Sequence, residues 1–105
     1  QGGLFQVSNG GELTISAGEI TITDTFHTVD TEGDAASDDL DTINGGVNGA
    51  ILILRSANAG RDVVVKDATG NIQLDGSTDC TLGSTYDRIV LHYYNQWMEI
   101  SRSNQ

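Results

Sequence analysis

Apolar and polar residues alternate along most of this chain. Leu13-Thr14-Ile15 and Ile20-Thr21-Ile22-Thr23 set aliphatic side chains on one face and hydroxyls on the other, the period of two that a half-buried β-strand requires. Ser16-Ala17-Gly18-Glu19 between them is a short glycine-containing connection and predicts a hairpin. Alternation resumes at Phe26-His27-Thr28-Val29. Ala50-Ile51-Leu52-Ile53-Leu54 is instead a continuous apolar run, as expected of a strand covered on both faces, in the centre of a small sandwich or at an oligomer seam. Asp62-Val63-Val64-Val65-Lys66 and Asn71-Ile72-Gln73-Leu74 flank Asp67-Ala68-Thr69-Gly70, where Gly70 is suited to a positive φ, and this predicts a second hairpin. Arg88-Ile89-Val90-Leu91-His92-Tyr93-Tyr94 and Gln96-Trp97-Met98-Glu99-Ile100-Ser101 form a third, about a tight turn at Asn95.

No segment carries a sustained 3.6-residue apolar period with caps, although Ala35 to Ile43 has room for one short helical turn. Gly-Gly and Asn-Gly pairs punctuate the chain at the spacing of an all-β fold. The expected architecture is all-β, a small antiparallel β-sandwich or jelly roll of eight or nine short strands, with no internal repeat of the kind that marks a solenoid. Residues 1–11 read as an N-terminal arm or linker and residues 12–105 as a single β-domain. Proline is absent, so one common guard of exposed sheet edges is missing, and a neighbouring chain is expected to cover them.

Composition narrows the classes further. Ile, Leu, Val and Phe make up 26 of 105 residues, enough for a folded domain rather than a disordered chain. Fifteen acidic groups against five basic give a net charge of -10, which argues against nucleic acid and anionic lipid as partners. Cys80 is the only cysteine, so there is no internal disulfide or multi-cysteine zinc site, and Asp79 beside it is expected to raise its pKa. No apolar run reaches membrane-spanning length, and the first residues lack the pattern of a signal peptide. A start at Gln1 fits a processed product or a piece of something longer.

Candidate chemistry is sparse. Asp30, Glu32, Asp34, Asp38, Asp39 and Asp41 crowd carboxylates into twelve residues, chemistry suited to calcium. Their spacing does not fit an EF-hand loop, and a solvated loop is the favoured reading, with no metal and no cofactor expected. His27 and His92 read as packed or surface imidazoles. Tyr93, Tyr94 and Trp97 are a candidate sugar-stacking platform, set against a reading in which Trp97 and one tyrosine fill the core. No nucleophile elbow or zinc motif is present, and an enzyme is not expected.

One string stands out. It comprises Asp41-Thr42-Ile43-Asn44-Gly45-Gly46, Gly49-x-Ile51-Leu52-x-Leu54-Arg55, Arg61-x-Val63-x-Val65-Lys66-Asp67-x-Thr69-Gly70-Asn71-Ile72-x-Leu74 and Trp97-x-Glu99-Ile100-Ser101-Arg102-Ser103. Across residues 12 to 103 the chain resembles a small β-domain that recurs in virion proteins of tailed bacteriophages, in capsid decoration or cement proteins and in fibre or spike proteins. The resemblance implies a β-sandwich or jelly-roll unit, usually trimeric and without a catalytic role. The expected function is therefore a non-enzymatic structural protein of a virion. It would be a homotrimer that decorates or cements the capsid surface, in contact with proteins such as the major capsid protein. The alternative is a tail fibre or spike module that recognises host surface glycan. Arg55, Arg61, Arg88 and Arg102 are the candidate assembly contacts, through paired carboxylates.

Overall fold

The alternating segments form eleven strands among the described residues, and they wind into a coil. The computed structural model describes residues 5–104; the rest of the expected arm, residues 1–4, and residue 105 lie outside the described residues. β1 (Asn9–Thr14) begins inside the stretch expected to be an arm and is followed by β2 (Glu19–Thr21). The next circuit is β3 (Phe26–Asp30), β4 (Ser37–Leu40) and β5 (Thr42–Asn44); the one after is β6 (Ile51–Ser56), β7 (Asp62–Val65) and β8 (Ile72–Gln73). β9 (Cys80–Leu82) and a long hairpin of β10 (Arg88–Tyr94) and β11 (Gln96–Ser103) complete the chain.

Successive circuits stack in parallel. β1, β3 and β6 build one wall, β2 and β5 a second, β4 and β7 a third. β9 extends the third wall antiparallel to β7. β10 pairs antiparallel with β6, and β11 runs back along β10 and pairs in parallel with β8, so the hairpin crosses the end of the coil.

This overturns the antiparallel sandwich or jelly roll of eight or nine strands: among the described residues five of the eight strand pairings are parallel and the stacking is solenoid-like. Two of the predicted hairpin turns are present as turns, but their strands diverge onto different walls. Ser16 and Glu19 exchange both backbone hydrogen bonds at 3.0 Å across Ala17-Gly18, both at positive φ, and pairing stops there. Around residues 67–70 the positive φ belongs to Ala68, not Gly70. Gly70 is small for another reason: a β-carbon there would collide with the Asp41 carbonyl and the Thr42 hydroxyl of the circuit before it. The Asn95 hairpin forms as expected. The helical turn is a short 3-10 segment at Glu32–Asp34, ahead of the stretch expected for it, most of which is strand.

Side chains pointing inward from the walls stack in rows. His27, Leu54 and Ile89 form one, Leu40, Val65 and Cys80 another, and Val63 lies beside Leu82. All of these are buried, as is Trp97, which fills the end of the coil against Tyr93 with ring centroids 4.9 Å apart and planes at 63°.

The second wall ends in an unusual way. After Ile20 pairs with Ile43 there is no third strand in register among the described residues; instead the Asn71 carboxamide accepts from the Ile43 N–H at 2.9 Å and donates to the Ile43 carbonyl at 2.8 Å. The Trp97 indole N–H donates to the same carbonyl at 3.2 Å. One side chain thus reproduces the two bonds that a further strand would have made. Replacing Asn71 with Ala leaves the Ile43 N–H unpaired in the interior, and we expect a loss of about 1–3 kcal/mol in denaturant unfolding. Asn71→Asp, which keeps the acceptor but not the donor, should also be destabilised; an unchanged midpoint in both variants would refute this role.

Candidate functional site

The six clustered carboxylates do not converge. Asp30 is buried and faces Arg61, whose Nη1 lies 3.0 and 3.2 Å from its two oxygens, and Asp34 meets the same nitrogen at 3.1 Å. Glu32 accepts from the Ala17 N–H, and Asp38 accepts from the N–H groups of Glu32 and Asp39. Asp39 is exposed on the third wall, while Asp41 lies at a corner under Gly18. Among the described residues, no group of three or more His, Cys, Asp or Glu side chains is arranged to hold a metal ion.

The aromatic platform is also divided. Trp97 and Tyr93 oppose each other across the hairpin and both point inward, Trp97 to full burial, while Tyr94 points outward and is 60% exposed. Alternation along β10 forces this split, so Trp97 has no face to offer a sugar.

His27 is a structural imidazole. Its Nε2 accepts from the N–H groups of Thr23 and Asp24, both at 3.1 Å, so Nδ1 carries the hydrogen and donates to the Gly11 carbonyl at 3.0 Å. Gly10 allows this packing, because a β-carbon there would overlap the ring. Cys80 is buried, and burial, more than any neighbouring charge, pushes its thiol up. A groove of about 330 Å³ lies at the corner of residues 22–25 and 45–51. The one ionisable side chain lining it, Asp24, accepts from the Ser8 hydroxyl at 2.6 Å and the Thr23 hydroxyl at 2.7 Å, which hold its carboxyl below the ordinary value.

The four arginines have two different settings. Arg61 bridges successive circuits through Asp30 and Asp34, and Arg102 makes a two-bond pair with Glu99, both at 2.8 Å, and donates to the carbonyls of Thr78 and Asp79. Arg55 and Arg88 instead stand directly opposite each other on β6 and β10, donating to the Thr85 and Tyr86 carbonyls.

They belong to the outward face of the largest sheet. One outward row reads Asn9, Phe26, Ile53, Val90 and Ser101; the next reads Glu12, Thr28, Arg55, Arg88 and Ser103. A third holds Ile51, His92 and Met98. At the β-bulge where Val90 faces Ser101 and Leu91 faces Glu99, Ile100 is the extra residue and turns outward beside Ser101. Ile100 is 56% exposed and Ile51 41%. Phe26, Ile51, Ile53, Val90, Met98 and Ile100 thus form a band of apolar side chains that the described residues leave uncovered or half-covered. Of this band, only the Ile51–Ile53 run stood out in the sequence. The remainder depends on β6, β10 and β11 becoming neighbours.

Compared with known proteins, the chain matches no family model, no curated sequence and no solved structure.

The charged contacts set a pH profile. At Asp30 burial pushes the carboxyl up, but this is outweighed by Arg61, the Thr31 N–H and Asn58, so the pKa lies below 3.8. Asp79 is lowered by the Asp67 N–H and then Lys66, and Glu99, ordinarily 4.5, by Arg102. A depressed carboxylate contributes stability that is present above its unfolded pKa and lost as pH falls through the folded one. Lys66, raised above 10.5 by Asp79, and Cys80, raised above 9.0, contribute stability present below those values and lost as pH rises through the folded ones. The melting temperature should therefore hold a plateau between pH 4.5 and 9.0 and decline on both sides. Asp30→Asn should flatten part of the acid limb; a melting temperature that climbs on acidification would mean that relief of the net negative charge dominates instead.

Proposed function

We propose that this chain is a non-enzymatic structural module of a bacteriophage virion that works as a homotrimer. The observation that carries the reading is the uncovered apolar band on the outward face of the six-stranded sheet. Such a band on a chain of net charge -10 is the mark of a surface that another protein covers. The virion setting is what the resemblance of residues 12–103 implies, and the coil departs from the sandwich or jelly roll that the same resemblance implies. The dispersed carboxylates and the structural role of His27 fit a protein that acts through area rather than through a reacting group.

Two positions on the particle follow from this reading, the capsid surface as a decoration or cement protein, and the tail fibre or spike. Parallel circuits that stack along an axis, in a body of 45 × 27 × 24 Å, favour the second. In that position glycan recognition would have to use Tyr94 and the polar loops, since Trp97 is enclosed.

Light scattering on the purified protein at micromolar concentration should give the mass of a trimer. The protein should then either compete with phage for adsorption to the host, as a fibre or spike would, or sediment with capsids stripped of their decoration. A monomer that does neither would overturn the proposal, and new reducing ends released from host polysaccharide would replace it with an enzyme.

A further inference from the structure

Charge is unevenly distributed around the coil. In the two longest outward rows of the six-stranded sheet the only carboxylate is Glu12, while Arg55 and Arg88 sit side by side. Like charges directly opposite on neighbouring strands destabilise a sheet unless something anionic lies over them. The β4-β7-β9 wall has the reverse character. Its outward positions include Asp39 and Asp62, and Asp41 and Asp79 flank its one cation, Lys66, whose pKa is raised by Asp79 first and then by Asp39 and Asp41. No carboxylate on that wall is buried in the core; Asp39 is exposed and the others are half-exposed.

We propose that the apolar face carrying Arg55 and Arg88 docks against the acidic β4-β7-β9 wall of a second copy of this chain. This rests on the homotrimer reading above and names the two surfaces that meet. A copy is the occupant because it offers what the face lacks: carboxylates in number, on a strand surface that also presents Val64 between Asp39 and Thr81. A contact between two different faces is heterologous, so it builds rings or filaments rather than two-fold dimers, and three copies close the smallest such ring. It also explains how a chain of net charge -10 self-associates, since at this seam each copy meets the other's opposite sign.

The test uses the whole chain and reads assembly by light scattering and sedimentation, with circular dichroism and melting curves as the check on folding. The double variant Arg55→Glu, Arg88→Glu should weaken assembly by about tenfold or more, and so should Asp39→Arg, Asp62→Arg. Combining all four reversals in one chain restores opposite signs at every seam of a ring, and should restore the trimer. Because Arg55 and Arg88 also hold the 84–86 loop, Met98→Glu with Ile100→Glu provides a second probe; both side chains are exposed in the single chain, and this pair, which sets carboxylates against the acidic wall, should abolish the trimer while leaving the fold intact. A wild-type protein that is monomeric throughout overturns the trimer reading and this inference together. A wild-type trimer that persists in the folded arginine or Met98/Ile100 variants, or a fourfold variant that fails to reassemble while still folded, overturns this inference alone.

Discussion

A coil of parallel strands must be stopped somewhere, and the peptide of Ile43 shows how this one is. Each strand of a stacked wall offers N–H and C=O groups to the next, about 4.8 Å along the axis, and a last strand with nothing beneath it would bury unpaired polar groups at the end of an apolar core. On the second wall Asn71 meets that demand with a single carboxamide, and the indole of Trp97 adds a second bond to the Ile43 carbonyl. The Trp97 ring then covers the end of the core, which fixes the position of β11 and, through the hairpin, of β10 against β6. The backbone continues the same closure, the Trp97 N–H donating to the Asn71 carbonyl at 2.8 Å. Stacking, capping and the arrangement of the largest sheet all meet at these three residues.

The strands themselves were legible because period-two alternation is a local property, and the pairs Leu52 and Leu54, or Val63 and Val65, went inward as alternation requires. The solenoid was not, for two physical reasons. Turn chemistry at Ala17-Gly18 is the same whether the flanking strands pair or part, so a two-residue turn gave a hairpin in the sequence and a corner in the structure. The repeat is also irregular. Leu13 returns beside Val29, Ile20 beside Ile43, Ser37 beside Asp62 and Phe26 beside Ile53, spacings that range from 16 to 27 residues. A period that varies this much leaves no self-similarity to detect, although each corner is tightly specified, as Gly70 under the Asp41 carbonyl shows.

The candidate residues divided along the same line. The fate of Trp97 and Tyr94 followed from alternation once a face was chosen. The partners of the arginines could not be read, because Arg61 reaches Asp30 across a full circuit and Arg102 reaches the loop of residues 78 and 79. A cation in such a chain is either consumed internally or left facing outward, and only the fold decides which. Here it leaves Arg55 and Arg88 on the apolar face, adjacent to each other.

That face and the cap are made by the same hairpin. Inward residues of β10 and β11, Ile89, Leu91 and Trp97, close the core, while outward ones, Val90, Met98 and Ile100, lie in the uncovered band and Arg88 beside it. The bulge at Ile100 lets one strand do both: by inserting a residue it turns Ile100 and Ser101 outward together while Glu99 and Arg102 stay paired beneath the 75–79 loop. A fault in the cap, at Trp97 or at its bond to Ile43, would therefore displace the outward band as well. Coupling of this kind means that a chain whose coil is not closed cannot present a correctly shaped face, so that the proposed assembly would select folded copies without any further device.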